Sequence, residues 1–124
     1  MGIEIAGLDI SEFGVENAKA EAKPFLKLGN CTELPFEDGS FDFVYSINTF
    51  HNLYNFQLMG ALQEMQRVGK DKRYVCVESY RNEREKTNLL YWQLTCETFY
   101  TPDEWRWFYE LAGYSGDEDY IFFD

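Results

Sequence analysis

Gly29-Asn30-Cys31-Thr32-Glu33-Leu34-Pro35-Phe36-Glu37-Asp38-Gly39-Ser40-Phe41-Asp42 is the stretch from which the rest of the chain can be placed. It leaves a strand at Gly29-Asn30, crosses a turn-rich segment centred on Asp38-Gly39, and enters the run Phe41-Asp42-Phe43-Val44-Tyr45-Ser46-Ile47, which reads as a second strand. Upstream, Pro24 closes a helix and Phe25-Leu26-Lys27-Leu28 forms the strand that ends at Gly29. Further back, Ile3, Ile5, Leu8 and Ile10, with Gly7 among them, suit a short buried strand. That strand opens into a helix capped by Ser11, running to about Ala22 with Val15, Ala18 and Ala22 inward. Gly14 in its first turn and its small apolar residues make this helix weak.

Downstream, Leu58, Ala61, Leu62, Met65 and Val68 recur at helical spacing, and Gly69-Lys70 is the expected stop. Arg67, Lys70, Lys72 and Arg73 around Asp71 read first as a solvated turn and second as an anion site. Residues 73–79 follow as a strand whose Val75-Cys76-Val77 is apolar at consecutive positions, as when both faces of a sheet are covered. Residues 81–86 are a charged loop or helix start, and Leu89 to Leu94 a short helix or lid. Thr101-Pro102-Asp103-Glu104 combines a cap, a proline at the first helical position and a closing glutamate, so a helix runs to Ala112. Trp105, Phe108 and Ala112 share its inner stripe, Arg106 and Glu110 face water, and Gly113 supplies the left-handed exit. Tyr120-Ile121-Phe122-Phe123 reads as a last strand with no room left for a partner. Alternating strands and helices, with covered strands, predict one α/β domain built on an open, mostly parallel sheet flanked by helices.

Composition narrows the function. The 124 residues carry 22 Asp+Glu against 11 Lys+Arg, a net charge of −11, and both halves are acidic. Such a surface argues against nucleic acid or an anionic membrane face as partner. Three cysteines at 31, 76 and 96 form no short-spaced metal pair or disulfide framework, which fits a reducing compartment. No apolar run reaches membrane-spanning length, and the N-terminus lacks a signal-peptide pattern, so a cytoplasmic location is expected.

In an open α/β sheet ligands bind beyond the carboxyl ends of the strands. Asp9, Asn30 and Ser46 fall at or near such ends and can converge on one crevice. A carboxylate like that of Asp9 can accept from two vicinal hydroxyls, or simply cap a helix. His51 is the only histidine, which closes every two-imidazole mechanism. It reads as a rim residue, either a polar loop side chain or a lone general base. Cys76 is a core thiol, and Cys31 sits at a strand exit where its backbone amide matters more than its sulfur. The aromatic cluster Tyr80, Tyr91, Trp92, Phe99, Tyr100, Trp105 and Trp107 divides between core and an apolar acceptor pocket. No glycine-rich phosphate loop is present, and adjacent acids such as Glu37-Asp38 or 117–119 read as solvated turns.

From Gly7 to Arg81 the sequence resembles the middle of a class I S-adenosylmethionine-dependent methyltransferase, of the subgroup acting on small molecules, quinones and sterols. The ordered string from Gly29 to Asp42 carries most of the likeness, and Ala112-Gly113-Tyr114 resembles the exit of the family's late helix. The resemblance implies that Asp9 holds the cofactor ribose hydroxyls. It implies that Asn30, standing where an aspartate is usual, contacts the adenine amino group, and that the amide of Cys31 faces the ring. Ser46 would lie near the methionine portion, and His51 or Tyr80 would handle the acceptor. Two departures accompany it. Asp71-Lys72-Arg73 replaces a proline-glycine-glycine turn, and the strand and glycine-rich loop that open the family fold have no counterpart in the six residues before Gly7. That strand belongs between those at 3–9 and 41–47, so its loss leaves two edges unpaired or forces them together. Only one strand of the family's closing antiparallel pair is visible.

The expectation is therefore a single, truncated methyltransferase-like domain over 1–124. Its function would be S-adenosylmethionine-dependent methyl transfer to a small molecule, impaired in this chain alone. The rival reading is a non-catalytic remnant acting as a scaffold, or as a homodimer formed through a sheet edge or strand exchange.

Overall fold

In the computed structural model, which describes residues 4–9 and 12–124, the consecutive apolar run Val75-Cys76-Val77 lies in the middle strand of a sheet. Its residues are 0%, 7% and 0% exposed, so both faces of that strand are covered, as their lack of alternation predicts. This strand, β4 (Gly69–Ser79), pairs in parallel with β3 (Phe41–Ile47) on one side and β5 (Asp117–Phe122) on the other. A second sheet holds β1 (Gly7–Asp9) and β2 (Leu26–Leu28), also parallel. The α/β class with parallel strands flanked by helices is thus the observed one. The strands fall into two sheets, however, not one continuous stack, because no described residue pairs β1 with β3.

Helix α2 (Asn55–Val68) covers one face, presenting Leu58, Leu62 and Met65 to Val75 and Val77 and to Trp105 and Phe108 of α4 (Pro102–Ala112). All five residues read as the inner stripe of α2 are buried. The α4 cap forms as its sequence dictates. Glu104 N–H donates to Thr101 Oγ1 at 3.3 Å, Thr101 N–H donates to Glu104 Oε1 at 2.8 Å, and Gly113 exits at φ 74°. α3 (Glu83–Trp92) lies against β4 with Leu89 fully buried. Its N-cap is Asn82, whose Oδ1 accepts from Glu85 N–H at 3.0 Å. The weak first helix, α1, is confined to Glu12–Glu16 and stops well short of Ala22. Ser11, its expected cap, and Ile3 and Ile10 of the expected first strand lie outside the described residues.

Two expectations need correction. Gly69 does end α2, but in an extended conformation at φ −81°, so β4 begins there and the residues expected as a turn are strand. Arg73 is accordingly not solvated. It is 9% exposed and its guanidinium donates to the carbonyls of Ser115 (3.1 Å), Gln66 (3.0 Å) and Gly69. The expected last strand is present, and β5 runs beside β4 from Tyr74↔Asp117 to Ser79↔Phe122. Gly116 permits that approach, since a Cβ there would stand 2.8 Å from Arg73 O.

Candidate functional site

The segment that opened the reading is held in place by one arginine. Arg67, in the last turn of α2, donates to Phe36 O at 2.8 Å and Leu34 O at 3.1 Å, and pairs with Asp38 Oδ1 at 2.7 Å and Glu64 Oε2 at 2.6 Å. Glu64 Oε1 in turn accepts Leu34 N–H at 2.8 Å. These bonds hold the Glu64 carboxyl below its ordinary pKa and the Arg67 guanidinium above its own. Residues 34–38 are thereby tied across α2, which sets where Cys31 sits. The Glu64-to-Arg67 spacing of three on one helix face is the signal that sequence reading left unused.

Cys31 faces a groove of about 390 Å³ between the two sheets, whose walls include Gly7, Leu8, Val44, Ser46 and Met65. Asp9 follows Leu8 at the end of β1, in register with Leu28, and its carbonyl accepts Gly29 N–H at 2.9 Å. Asp9, Asn30 and Cys31 therefore occupy the same, carboxyl end of the β1–β2 sheet. Ser46 comes from near the corresponding end of β3. The groove thus brings Cys31 and Ser46 together, with Asp9 and Asn30 one residue from its lining.

The detail at Asn30 departs from expectation. Its Oδ1 accepts from Thr32 N–H at 2.9 Å and from Thr32 Oγ1 at 2.8 Å. Both acceptor positions of that oxygen are used in this turn, leaving the amide NH2, a donor, as the group available to a ligand. The Cys31 thiol is pushed above its ordinary pKa by burial, which keeps it protonated and makes its backbone the more useful part.

His51 is not at a rim. The side chain expected in a polar loop is 1% exposed, on a 3₁₀ turn at Phe50–Asn52. Its Nδ1 accepts Glu78 N–H at 3.3 Å and its Nε2 lies 3.2 Å from Glu78 Oε2. Gln93 Nε2 donates to the other carboxylate oxygen at 2.8 Å, and Glu97 and Thr98 donate their N–H groups to His51 O at 2.9 and 3.0 Å. With Nδ1 already an acceptor, the neutral ring carries its proton on Nε2, close to Glu78 Oε2 but not hydrogen-bonded to it, and that buried oxygen has no hydrogen-bond partner among the described residues. Burial pushes the imidazole down to about 4 and the Glu78 carboxyl upward. Glu78 and Gln93 escaped sequence reading because Glu78 sits in a strand otherwise read as apolar.

Tyr80, the other residue expected to handle an acceptor, lies half-buried just past β4, with Lys86 Nζ 5.4 Å from its ring centroid. Neither His51 nor Tyr80 lines the groove. The aromatic cluster is part core and part exposed surface. Tyr100 and Trp105 meet edge to face in the core at 5.3 Å between centroids, whereas Tyr91 and Trp92 are 74% and 67% exposed and touch each other edge to face. All three cysteines are free.

Comparison with known proteins supplies the family. A family model described as a methyltransferase domain matches residues 1–77. No curated protein matches the chain. Among solved structures, the methyltransferase complexed with the Trm112 methyltransferase activator of Haloferax volcanii, described as putative, is 26% identical, with a TM-score of 0.71 over 90% of this chain and 51% of that one. The PH0226 protein of Pyrococcus horikoshii OT3 is 30% identical, with a TM-score of 0.53 over 58% of this chain and 37% of that one. The YcgJ protein of Bacillus subtilis, at 21% identity and a TM-score of 0.64, covers 86% of this chain and 50% of its own, and supports the fold alone. The chain thus spans about half the length of these structures or less. With more than half of its residues inside the matching model, the chain belongs to the methyltransferase-domain family.

Proposed function

We propose that this chain binds S-adenosylmethionine at the carboxyl ends of β1, β2 and β3 and serves methyl transfer to a small-molecule acceptor, of the kind handled by quinone and sterol methylating relatives. The observation that carries the reading is the convergence of Asp9, Asn30 and Cys31 at one sheet end, beside a groove that Ser46 also lines. These residues fit the nucleoside half of the cofactor. Asp9 places a carboxylate where vicinal hydroxyls can reach it, the amide of Asn30 offers donors to a ring nitrogen, and the Cys31 backbone offers its amide at the ring edge. When bound, the cofactor supplies an electrophilic methyl on a sulfonium, so the chain's own task is to align the reactants and remove a proton. Tyr80 is the accessible candidate for meeting the acceptor. His51, enclosed with Glu78 and Gln93, would act as a positioning residue that holds the segment around residues 93–98.

The methionine half is served less well. Among the described residues lining the groove none is cationic and none belongs to a glycine-rich run, so they offer a carboxylate no seat. This supports impaired activity in the chain alone. The Haloferax volcanii structure, a complex with an activator, supports activity that depends on a second protein. The same feature favours the rival reading of a non-catalytic scaffold or homodimer. Calorimetric titration with S-adenosylmethionine separates the two. Weak, saturable binding that falls about tenfold or more in Asp9→Asn supports the first reading, since a hydrogen bond to a charged group contributes about 1.5–3 kcal/mol. No heat from the folded chain, together with a dimer in sedimentation, supports the second.

A further inference from the structure

Asn30 lies just past the end of β2, exposed beside the groove, and its amide can face only one way. The oxygen accepts Thr32 N–H at 2.9 Å and the Thr32 hydroxyl at 2.8 Å. An amide nitrogen, which only donates, could not take that place against a backbone N–H. Nδ2 is therefore turned away from the turn, and it donates to no described residue. The carbonyl of Asn30 accepts Glu33 N–H at 3.0 Å, which closes the same turn and holds the residue's backbone. The next donor along the chain, Cys31 N–H, has no backbone acceptor among the described residues, and Cys31 lines the groove. Two neighbouring donors thus stand at the end of the sheet where the base of the nucleoside was placed above.

A pair of donors reads a purine differently from a donor beside an acceptor. The exocyclic amino group of adenine donates, and the ring nitrogen next to it accepts. Hypoxanthine reverses both, with an exocyclic oxygen that accepts and a ring N–H that donates. A carboxylate at position 30, with Cys31 N–H beside it, would complement adenine at both points and oppose hypoxanthine at both. Asn30 removes that distinction. Against two donors each base finds one acceptor, the ring nitrogen of adenine or the oxygen of hypoxanthine, and each leaves one donor facing a donor. Because Asn30 is exposed, water meets the unmatched group in either case.

We propose that Asn30, fixed by Thr32, sets the base specificity of this site, so that the exocyclic group of the purine is not discriminated and the chain takes adenine and hypoxanthine nucleosides alike. The proposal rests on the nucleoside reading above, and its test separates the failure of one from the failure of the other.

The probes are S-adenosylhomocysteine, the cofactor without its methyl group, and S-inosylhomocysteine, the same molecule with the amino group replaced by oxygen. Each is titrated calorimetrically into the full chain and into Asn30→Asp. The two ligands should bind the unchanged chain within about threefold of each other. Asn30→Asp keeps an oxygen for Thr32 while turning the outward donor into an acceptor. It should move the ratio of the two affinities about tenfold or more toward the adenosyl ligand, since a matched bond is gained on one base and lost on the other. Taking the ratio cancels whatever the added charge does to both ligands. In the nitrogen-labelled chain, the side-chain amide protons of Asn30 should shift with both ligands. A preference of the unchanged chain for the adenosyl ligand above about threefold overturns the proposal and leaves the nucleoside reading standing. An unchanged ratio in folded Asn30→Asp does the same, because Asn30 then does not meet the base. Failure of both ligands to bind the folded chain overturns the nucleoside reading and the proposal with it. Should Asn30→Asp fail to fold, the side-chain amide protons of the unchanged chain decide: unmoved by bound ligand, they overturn the proposal.

Discussion

Replacing His51 by leucine tests how the buried histidine is held. At pH 8 the imidazole is neutral in both folded and unfolded chains, and the substitution leaves Glu78 N–H without its acceptor. That loss costs about 1–3 kcal/mol. On acidification the native protein gains a burden the variant lacks. Burial holds the folded imidazole at about 4, against an ordinary value of 6.5. Below pH 6.5 the unfolded chain takes up a proton that the folded chain refuses. Stability is therefore lost as pH falls from 6.5 towards 4, and the gap between those values amounts to about 2 kcal/mol by pH 5. Glu78 works in the opposite sense. Its raised pKa lets the folded chain bind a proton first, so that part of the stability grows as pH falls and is lost as pH rises through the folded value. Its cause, burial, is common to both proteins, so this contribution cancels in the comparison. Urea unfolding of both proteins at pH 8 and pH 5 should show the variant less stable at pH 8, with the difference shrinking by about 2 kcal/mol at pH 5. A difference that widens on acidification would mean a charged His51–Glu78 ion pair, and would refute the neutral assignment.

Arg73→Met removes a guanidinium that joins the end of α2, the start of β4 and the approach to β5. Chemical denaturation should report a loss of about 3 kcal/mol, only partly restored by Arg73→Lys because an ammonium cannot span the fork; a loss under about 1 kcal/mol would show that these bonds are not the clamp. Gly116→Ala drives a methyl to 2.8 Å from Arg73 O and 2.6 Å from the Tyr114 hydroxyl oxygen. It should cost about 2 kcal/mol by the same assay, and an unchanged midpoint would mean that β5 is not seated against β4.

What could be read from the chain was what neighbours in sequence decide. Thr101 and Glu104 cap α4 through bonds three residues apart, Gly113 leaves it in the left-handed region, and the α2 stripe follows from 3.6-residue spacing. The burial of Val75-Cys76-Val77 followed from their failure to alternate. Long-range pairing was not legible. Nothing local to residues 117–122 says that β5 will run beside β4, because the contact depends on Gly116 and on the length of α4. Arg73 looked solvated because charge near glycine usually means a turn; the nearby carbonyls of Gly69 and Gln66 and the distant one of Ser115 make it a buried clamp. His51 looked like a rim residue from its polar neighbours, yet its partner Glu78 lies 27 positions away. At the candidate site the strand-end positions of Asp9, Asn30 and Ser46 were readable from strand boundaries. The use of the Asn30 oxygen by Thr32, and the division into two sheets, were not.

The account rests on a ligand crevice at the carboxyl ends of β1, β2 and β3. Amide chemical shifts of the nitrogen-labelled chain, followed during titration with S-adenosylmethionine, test it most directly. Saturating shifts should centre on Asp9, Asn30, Cys31 and Ser46, with the amides of Arg106 and Glu110 on the outer face of α4 unmoved. Shifts confined to α4, or none in a folded chain at saturating cofactor, would contradict it.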